Sequence, residues 1–245
     1  MNATILQIRD VKKSFDEKAV HRGVTFDLHE GETLGLLGPS GTGKSVLLRS
    51  LIGLEQIDDG QIIYRGDRID QLSEKQFCKV RTKISYSFQS GALFDSINVF
   101  ENVAYSLFEH TRMSEAEVEA RVMEILKIIN MQEARDLLPS DLSGGMQKRV
   151  GMARAMALDP DILLYDEPTA GLDPINVDMV LEVMKKFKDQ GQSSIFVTHD
   201  IPAALKICDR IIILRDGKVG FQGSVEEFET STDPFVKSFL TGKIV

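Results

Sequence analysis

The sequence predicts an α/β fold in which helices flank a parallel sheet, with an N-terminal antiparallel β layer and an inserted helical subdomain. Three observations support this prediction. At residues 33–52 a short apolar strand runs into a glycine-rich loop and then into a helix. Two further apolar strands, at residues 161–168 and 194–200, end in polar residues. Residues 99–135 have helical periodicity.

The first elements of the chain are predicted to be strands. Residues 5–11 have the composition of a strand, and apolar and polar residues alternate in residues 24–29 before a turn at residues 30–31. An antiparallel β layer should therefore precede the glycine-rich loop.

The glycine-rich loop matches GxxxxGK[S/T], a pattern that cradles nucleotide phosphates when it lies between a strand and a helix. Its glycines let backbone N–H groups and the helix N-terminus converge on the phosphates. Lys44 adds a full positive charge, and the Ser45 hydroxyl is a ligand for Mg²⁺. The alternative, a loop that only turns the chain, is disfavoured by this context. The predicted nucleotide contacts are Gly38, Pro39, Ser40, Gly41, Thr42, Gly43, Lys44 and Ser45.

Phe15 lies in the connection between the first two predicted strands. From the residues alone, a core position is favoured for such a lone aromatic side chain. Its place upstream of a nucleotide loop also suits stacking on a base.

The middle of the chain is predicted to contain a small strand pair, a longer strand and a helical insertion. Residues 61–67 indicate the pair, and residues 83–89 a strand that ends at Gln89. A capping box at residues 114–117 and an apolar stripe indicate helices within the insertion. The stripe consists of Val118, Val122, Ile125, Leu126 and Ile129.

A second potential anion site follows the insertion. Ser143, Gly144 and Gly145 precede a predicted helix over residues 147–158. They have the same anion-binding features as the first site: a small hydroxyl, exposed N–H groups and a helix N-terminus. Taken alone this signal is weak, because Ser-Gly-Gly is often only a turn.

The two later strands deliver carboxylates and a histidine to one sheet edge. Asp166 is predicted to support Mg²⁺, and Glu167 to polarise an attacking water. His199 follows the next strand and is expected at the same edge. The alternative is a strand that polar residues merely stop. The other histidines, His21, His29 and His110, are expected to face solvent.

The C-terminal part of the chain is predicted to contain a hairpin over residues 210–219 and a short helix that begins at residue 226.

Composition limits the classes of function. A net charge of −8 and a pI near 5.1 argue against general nucleic-acid binding, which depends on Lys and Arg. Two cysteines without CxxC spacing indicate a reducing compartment and no metal role. With no signal peptide pattern and no apolar run of about 18 residues, we expect a cytosolic protein that another chain must hold at any membrane.

These motifs, in their order along the chain, resemble the nucleotide-binding subunit of ABC transporters over essentially the whole sequence. The resemblance implies one domain, residues 1–245, with a RecA-like core at about 1–90 and 160–245 and a helical signature subdomain at about 91–159. It also implies ATP and Mg²⁺ as ligands. A head-to-tail homodimer would hold two ATP molecules, each between one P-loop and the signature of the partner.

The same resemblance assigns a role to each site residue. Phe15 would stack on adenine, which reverses the preference for the core. Gln89 would touch Mg²⁺ and the attacking water. Ser143, Gly144 and Gly145 would bind the γ-phosphate of the nucleotide held by the opposite protomer. Glu167 would be the catalytic base, His199 would contact the γ-phosphate, and Asp173 would cross the dimer interface. Two residues depart from the usual pattern, Phe15 in place of tyrosine and Met146 in place of glutamine.

A narrower resemblance, in residues 88–96, residues 99–105 and Met146, is to the MlaF-type ATPases of Mla and Mce phospholipid transport systems. It implies lipid transport between inner and outer membranes, with a MlaE-like permease, an MCE-domain protein and in some systems a STAS-domain subunit as partners. The ATPase would lie at the cytoplasmic face of the inner membrane. Leu93, Phe94 and Phe100 would either dock the permease or pack beneath the insertion.

Other functions remain open at this point. The same ATPase could serve another cargo, such as amino acids or lipoproteins. A soluble ABC-type ATPase of DNA repair would need a long coiled coil and a basic surface, which the sequence lacks. A translation-factor ATPase would normally carry two cassettes. A non-hydrolysing sensor is disfavoured by Glu167 together with His199.

Overall fold

A computed structural model describes residues 3–89 and 91–241. Within these residues the strands are β1 (Thr4–Phe15), β2 (Lys18–His29), β3 (Thr33–Leu37), β4 (Asp59–Tyr64), β5 (Asp67–Arg68), β6 (Ile84–Ser87), β7 (Ile162–Asp166), β8 (Ser193–Val197), β9 (Arg210–Arg215) and β10 (Lys218–Ser224). The helices are α1 (Lys44–Leu51), α2 (Glu74–Arg81), α3 (Val99–His110), α4 (Glu115–Ile128), α5 (Gly144–Met156), α6 (Pro174–Asp189), α7 (Ile201–Ile207), α8 (Val225–Glu229) and α9 (Pro234–Leu240).

The larger sheet has the strand order β10-β9-β3-β8-β7-β6. All neighbours pair in parallel except the β9–β10 hairpin, which is antiparallel as predicted. Parallel pairing aligns the carboxyl ends of β3, β8, β7 and β6 along one edge of the sheet. The predicted α/β fold is confirmed, and this edge is the place where a ligand binds in such sheets.

The smaller sheet has the order β2-β1-β4-β5 and is antiparallel throughout. The predicted N-terminal β layer is therefore present, but it is larger than expected. The strand pair β4–β5 comes after the first helix in the chain and joins the layer by pairing with β1.

Two apolar clusters pack on opposite faces of the larger sheet. In β7, Ile162 and Leu164 face the smaller sheet and α1, whereas Leu163 and Tyr165 face the helices on the other side. This alternation follows from the period of two along a strand. All five residues of the predicted apolar stripe are fully buried: Val118, Val122, Ile125, Leu126 and Ile129.

Three local predictions were wrong. The strand predicted to end at Gln89 ends at Ser87, so Gln89 lies in the following loop; Ser90, also part of that predicted loop, is outside the described residues. The helix predicted from residue 147 begins at Gly144, because the Ser143 hydroxyl caps it by accepting a hydrogen bond from the Met146 N–H at 3.3 Å.

The third error is His21, which was expected to face solvent and is 1% exposed. The pairing of β1 with β2 passes from Val24 to Arg22 without Gly23, whose φ is +113°. This bulge reverses the alternation of faces, so His21 points inward although Val24 does too. Of the other two histidines, His110 is exposed and His29 partly so.

None of the helices within the described ranges has the length and apolarity that crossing a bilayer requires.

Candidate functional site

The site lies at the carboxyl edge of the larger sheet, where four strands end. The phosphate-binding loop follows β3, Asp166 ends β7 and is followed by Glu167, and His199 comes two residues after β8. The sequence-predicted groups on these three strands therefore share one edge. Gln89, two residues beyond β6, is exposed.

Lys44 lies at the centre of the phosphate-binding loop. Its ammonium group donates hydrogen bonds to the carbonyl oxygens of Gly38 at 2.8 Å and Pro39 at 3.1 Å, and the residue is 8% exposed. Burial lowers the pKa of Lys44, and the nearby carboxylates of Glu167 and Asp166 oppose that shift. The loop thus presents a cation that its own carbonyls hold in place.

Gly43 precedes α1 with a φ of +90°, a conformation that favours glycine. A Cβ atom there would lie 2.3 Å from Cγ1 of Val20 and 2.6 Å from Nε2 of His21. The His21 ring nitrogen itself lies 3.1 Å from the Gly43 carbonyl oxygen, and burial lowers its pKa. His21, which sequence reasoning missed, is therefore a support for the loop from the β layer.

Asp166 is 8% exposed, and both of its carboxylate oxygens accept hydrogen bonds. The Ser45 hydroxyl donates to Oδ1 at 2.8 Å, and the Tyr86 hydroxyl donates to Oδ2 at 2.5 Å. Burial, followed by this hydrogen bond, raises the pKa of Tyr86. Tyr86 is a second site residue that the sequence did not indicate.

The hydroxyl and the carboxylate fit Mg²⁺, which prefers oxygen ligands and commonly binds through one or two carboxylates plus substrate phosphates. Within the described part of the chain, no group of three or more His, Cys, Asp or Glu side chains could hold a metal ion. The site therefore suits an ion that arrives with a nucleotide. It does not suit an ion held by protein alone.

Glu167 is paired with His199. Its carboxylate oxygen Oε2 lies 2.8 Å from the ring nitrogen Nδ1 of His199. Because an ionised carboxylate can only accept a hydrogen bond, Nδ1 carries the hydrogen of this pair and Nε2 is the acceptor nitrogen of the neutral ring. Glu167 also has a φ of +51°, a strained conformation that in non-glycine residues is concentrated at functional sites.

Phe15 is 40% exposed, so the core position favoured from the residues alone was wrong. It lines a pocket of about 420 Å³ together with the phosphate-binding loop. Lys44, Ser45 and Glu167 line the same pocket. An exposed ring beside the loop is placed where a nucleotide base could stack on it.

The second predicted anion site is not part of this pocket. Ser143 and Gly144 are exposed, and none of residues 143–145 lies among the described residues that line the pocket. Gly145 packs closely on α6, because a Cβ atom there would lie 2.4 Å from the side-chain oxygen of Asn176. The helix N-terminus at residues 143–145 is therefore separate from the one that follows the phosphate-binding loop.

The segment after Glu167 connects the two sites. Asp173 caps α6 by accepting hydrogen bonds from the N–H groups of Ile175 and Asn176, both at 3.1 Å. Hydrogen bonds, the side chain of Asn176 first among them, lower the pKa of Asp173. The ammonium group of Lys148, on α5, donates to the carbonyl oxygen of Ala170. A hydrogen bond therefore joins α5, the helix that follows Ser143, to the turn after Glu167.

A groove of about 370 Å³ lies between the sheet edge at β6 and helices α3 and α5. Tyr86, Phe88 and Arg154 are among the residues that line it. At its rim, Phe94 is 38% exposed and its ring stacks on Tyr105, with centroids 4.8 Å apart, and under the guanidinium of Arg154 at 4.3 Å. Part of the Phe94 ring is thus packed against neighbouring side chains, and part of it is exposed where another protein could contact it. Leu93 and Phe100 are partly buried against the core.

Comparisons with known proteins agree with this architecture. The family model described as ABC transporter matches residues 21–170. A solved dimeric structure of an ATP-binding cassette in a post-hydrolysis state, bound to ADP and Pi, superposes with a TM-score of 0.83 at 32% sequence identity. That match covers 90% of this chain and 99% of the other.

Curated relatives extend the match over nearly the full length. Identity is 37% over 241 residues with the intermembrane phospholipid transport system ATP-binding protein MlaF of Escherichia coli, covering 98% of this chain and 90% of that protein. The protein TRIGALACTOSYLDIACYLGLYCEROL 3, chloroplastic, of Arabidopsis thaliana is 39% identical, with coverages of 98% and 74%. The probable ribonucleotide transport ATP-binding protein mkl of Mycobacterium leprae is also 39% identical, with coverages of 97% and 69%.

Proposed function

This chain belongs to the ABC transporter family and is an ATPase of that family, and from this premise we propose that it powers phospholipid transport between an inner and an outer membrane. The observation that carries the lipid cargo is the match to MlaF, which extends over 98% of this chain. The match to the mycobacterial relative, named for ribonucleotide transport, favours a second candidate cargo.

In the proposed cycle, residues of the loop hold the nucleotide. Phe15 stacks on the adenine, and the N–H groups of residue 38 and residues 40–45, with the ammonium group of Lys44, bind the phosphates. The exposed ring of Phe15 beside the loop supports this assignment. Ser45, Asp166 and Gln89 would hold Mg²⁺, which offsets the charge that develops on the phosphates during transfer.

Glu167 acts as the general base in this proposal and takes a proton from the attacking water. Its hydrogen bond with Nδ1 of His199 supports this role, because it orients the carboxylate and directs Nε2 of the ring to the γ-phosphate. Gln89 helps to position the water from the loop after β6. The strained backbone of Glu167 is consistent with a geometry selected for catalysis.

We further infer that the working unit is a head-to-tail dimer of two copies, in which Ser143, Gly144 and Gly145 contact a nucleotide that the other copy holds. Their position outside the pocket of their own phosphate-binding loop and the exposure of Ser143 and Gly144 support this inference. Asp173 would cross the interface between the copies. The relative that superposes with this chain was itself solved as a dimer.

The proposed membrane partner is a MlaE-like permease that docks in the groove beside Phe94. Docking would place the ATPase at the cytoplasmic face of the inner membrane, held there by the permease. The exposed aromatic and apolar side chains around the groove support this, since such patches mark binding sites. An MCE-domain protein and a STAS-domain subunit are further proposed partners, and nucleic acid is not.

Purification of the intact complex tests both the partners and the cargo. The tagged chain would be isolated in mild detergent from membranes of the cells that naturally produce it. The co-purified proteins and lipids would then be identified by mass spectrometry. We expect a permease and enriched phospholipid. A permease complex that carries nucleotides and no enriched lipid would favour the ribonucleotide alternative, and isolation without any membrane protein would contradict the transporter role.

The docking surface is tested by Phe94→Asp, which should weaken co-purification with the permease because it replaces an exposed aromatic ring beside the groove with a charge. ATP binding and melting temperature should stay near wild type. Leu137→Asp is the matched control: Leu137 is also 38% exposed, whereas Phe94 lies under the guanidinium of Arg154, a residue that lines the groove. An unfolded Phe94→Asp variant would support a packing role instead, and full co-purification would exclude Phe94 from docking.

A further inference from the structure

Tyr86 is the one residue in the described chain that both hydrogen-bonds Asp166 and lines the groove. It lies on β6, the edge strand beside β7, where it is in register with Leu164. Its side chain packs on the core cluster shared with α1, and its hydroxyl reaches Asp166, the last residue of β7. Residues 80 positions apart in the chain are joined in this way.

The hydroxyl of Tyr86 completes the support of the Asp166 carboxylate. Oδ1 already accepts a hydrogen bond from Ser45, and Oδ2 accepts the one from Tyr86, so each oxygen has a fixed donor. Two donors from different elements define the plane of a carboxylate more tightly than one. Groups that orient a metal-supporting carboxylate in this way usually affect metal affinity strongly.

The ring of Tyr86 faces the groove. It packs against Phe88, with centroids 4.4 Å apart and planes at 49°. Phe88 is 41% exposed, and both rings line the groove. One side chain thus connects a surface that a partner can reach with the carboxylate that supports Mg²⁺.

We propose that Tyr86 is a positioning residue that orients Asp166 for Mg²⁺-dependent ATP binding and that links the groove to this site. The proposal rests on the proposed function, in which Asp166 supports Mg²⁺. Tyr86 itself touches neither nucleotide nor metal ion; it acts through the carboxylate.

The test is Tyr86→Phe, which deletes the hydroxyl and keeps the ring. ATP binding is measured by fluorescence titration with and without Mg²⁺. Affinity in EDTA should stay within about twofold of wild type, whereas the Mg²⁺ concentration that gives half-maximal enhancement should rise about tenfold, the low end of the effect of lost outer-shell partners. A variant with only a structural role would not separate these two measurements.

Tyr64→Phe is the matched control. The Tyr64 hydroxyl donates to the carboxylate of Asp161, which lies at the opposite end of β7, away from the nucleotide loop. The same atom is deleted from the same type of pair, and we expect no change in Mg²⁺ dependence. A Tyr86→Phe shift no larger than that of Tyr64→Phe would overturn the proposal, as would an equal loss of ATP affinity in EDTA.

Two further variants separate the parts of the proposal. Asp166→Asn should abolish the Mg²⁺ enhancement; if it does not, the proposed role of Asp166 fails, independently of Tyr86. If Asp166→Asn has this effect and Tyr86→Phe does not, only the role of Tyr86 is refuted. Phe88→Ala removes the ring beside Tyr86 and should raise the half-maximal Mg²⁺ concentration by less than Tyr86→Phe. No shift would overturn the link to the groove.

Discussion

The phosphate-binding loop and the signature segment at residues 143–145 are both helix N-termini suited to anions, but their surroundings differ. The loop is enclosed: Lys44 is held by loop carbonyls, Ser45 is bonded to Asp166, and His21 supports Gly43 from the β layer. The signature is open at Gly144, where no described residue beyond its own helix and chain neighbours lies within 4 Å of an added Cβ atom, although Gly145 packs on Asn176 of α6.

This difference indicates which of the two sites can bind a ligand within one chain and which depends on a second copy. A site that is organised inside one chain can bind its ligand without help, because the cost of orienting its groups is met on folding. A site that ends in open N–H groups needs a ligand carried by something else. We therefore expect changes in the loop to act within the chain, and changes in the signature to act between two copies.

The largest effect is expected for Glu167→Gln. ATP should still bind, because the phosphate contacts are intact, while hydrolysis should slow by about 10²- to 10⁴-fold with loss of the general base. The variant should then accumulate as an ATP-bound dimer in size-exclusion chromatography. Turnover at the wild-type rate would show that Glu167 is not the general base.

Lys44→Ala should weaken ATP binding by about 100-fold or more, because it removes the ammonium group that the loop carbonyls hold in place. Isothermal titration calorimetry would measure this. Lys186→Ala is a suitable control, since Lys186 also donates to a carbonyl, that of Ile128 at 2.7 Å, but lies in the last turn of α6 and is not among the described residues that line the nucleotide pocket. Near-normal affinity in Lys44→Ala would contradict the assignment of the loop.

The smallest effects concern the two glycines, and they compare the regions directly. Gly43→Ala should lower the free energy of unfolding by about 2 kcal/mol or more, from the positive φ and the 2.3 Å approach to Val20. Gly144→Ala should not lower it, because the site is open and alanine favours the helix. Urea unfolding measures both. Equal losses would mean that the signature is as closely packed as the loop.

The sequence predicted the nucleotide loop, Asp166 and Glu167 because each lies next to a strand whose end determines its position. It did not predict Tyr86, whose role depends on β6 and β7 being neighbours although they are distant in the chain. His21 was missed because the second strand was predicted only from residue 24, whereas β2 begins at Lys18, and because the bulge at Gly23 reverses the faces of the part that the prediction left out.

The fold was predicted for similar reasons. Apolar runs at residues 161–168 and 194–200 are typical of parallel strands, and the structure places them side by side as β7 and β8. The partner of β4 was not predictable, since pairing with β1 requires the chain to return across α1. Long-range pairing thus accounts for the missed partner of β4 and for Tyr86, whereas the start of α5 at Gly144 was missed for a local reason, the Ser143 cap.

The central claim is that the open signature of one copy completes the enclosed loop of another, and mixed dimers test it most directly. Ser143→Arg has a sound loop and a blocked signature, whereas Lys44→Ala has a sound signature and a disabled loop. Each variant alone should be inactive. Mixed in equal amounts, half of the dimers regain one complete site, so about a quarter of the wild-type ATPase rate should return. A mixture as inactive as its parents, or a monomer that hydrolyses ATP at the full dimer rate, would contradict the account.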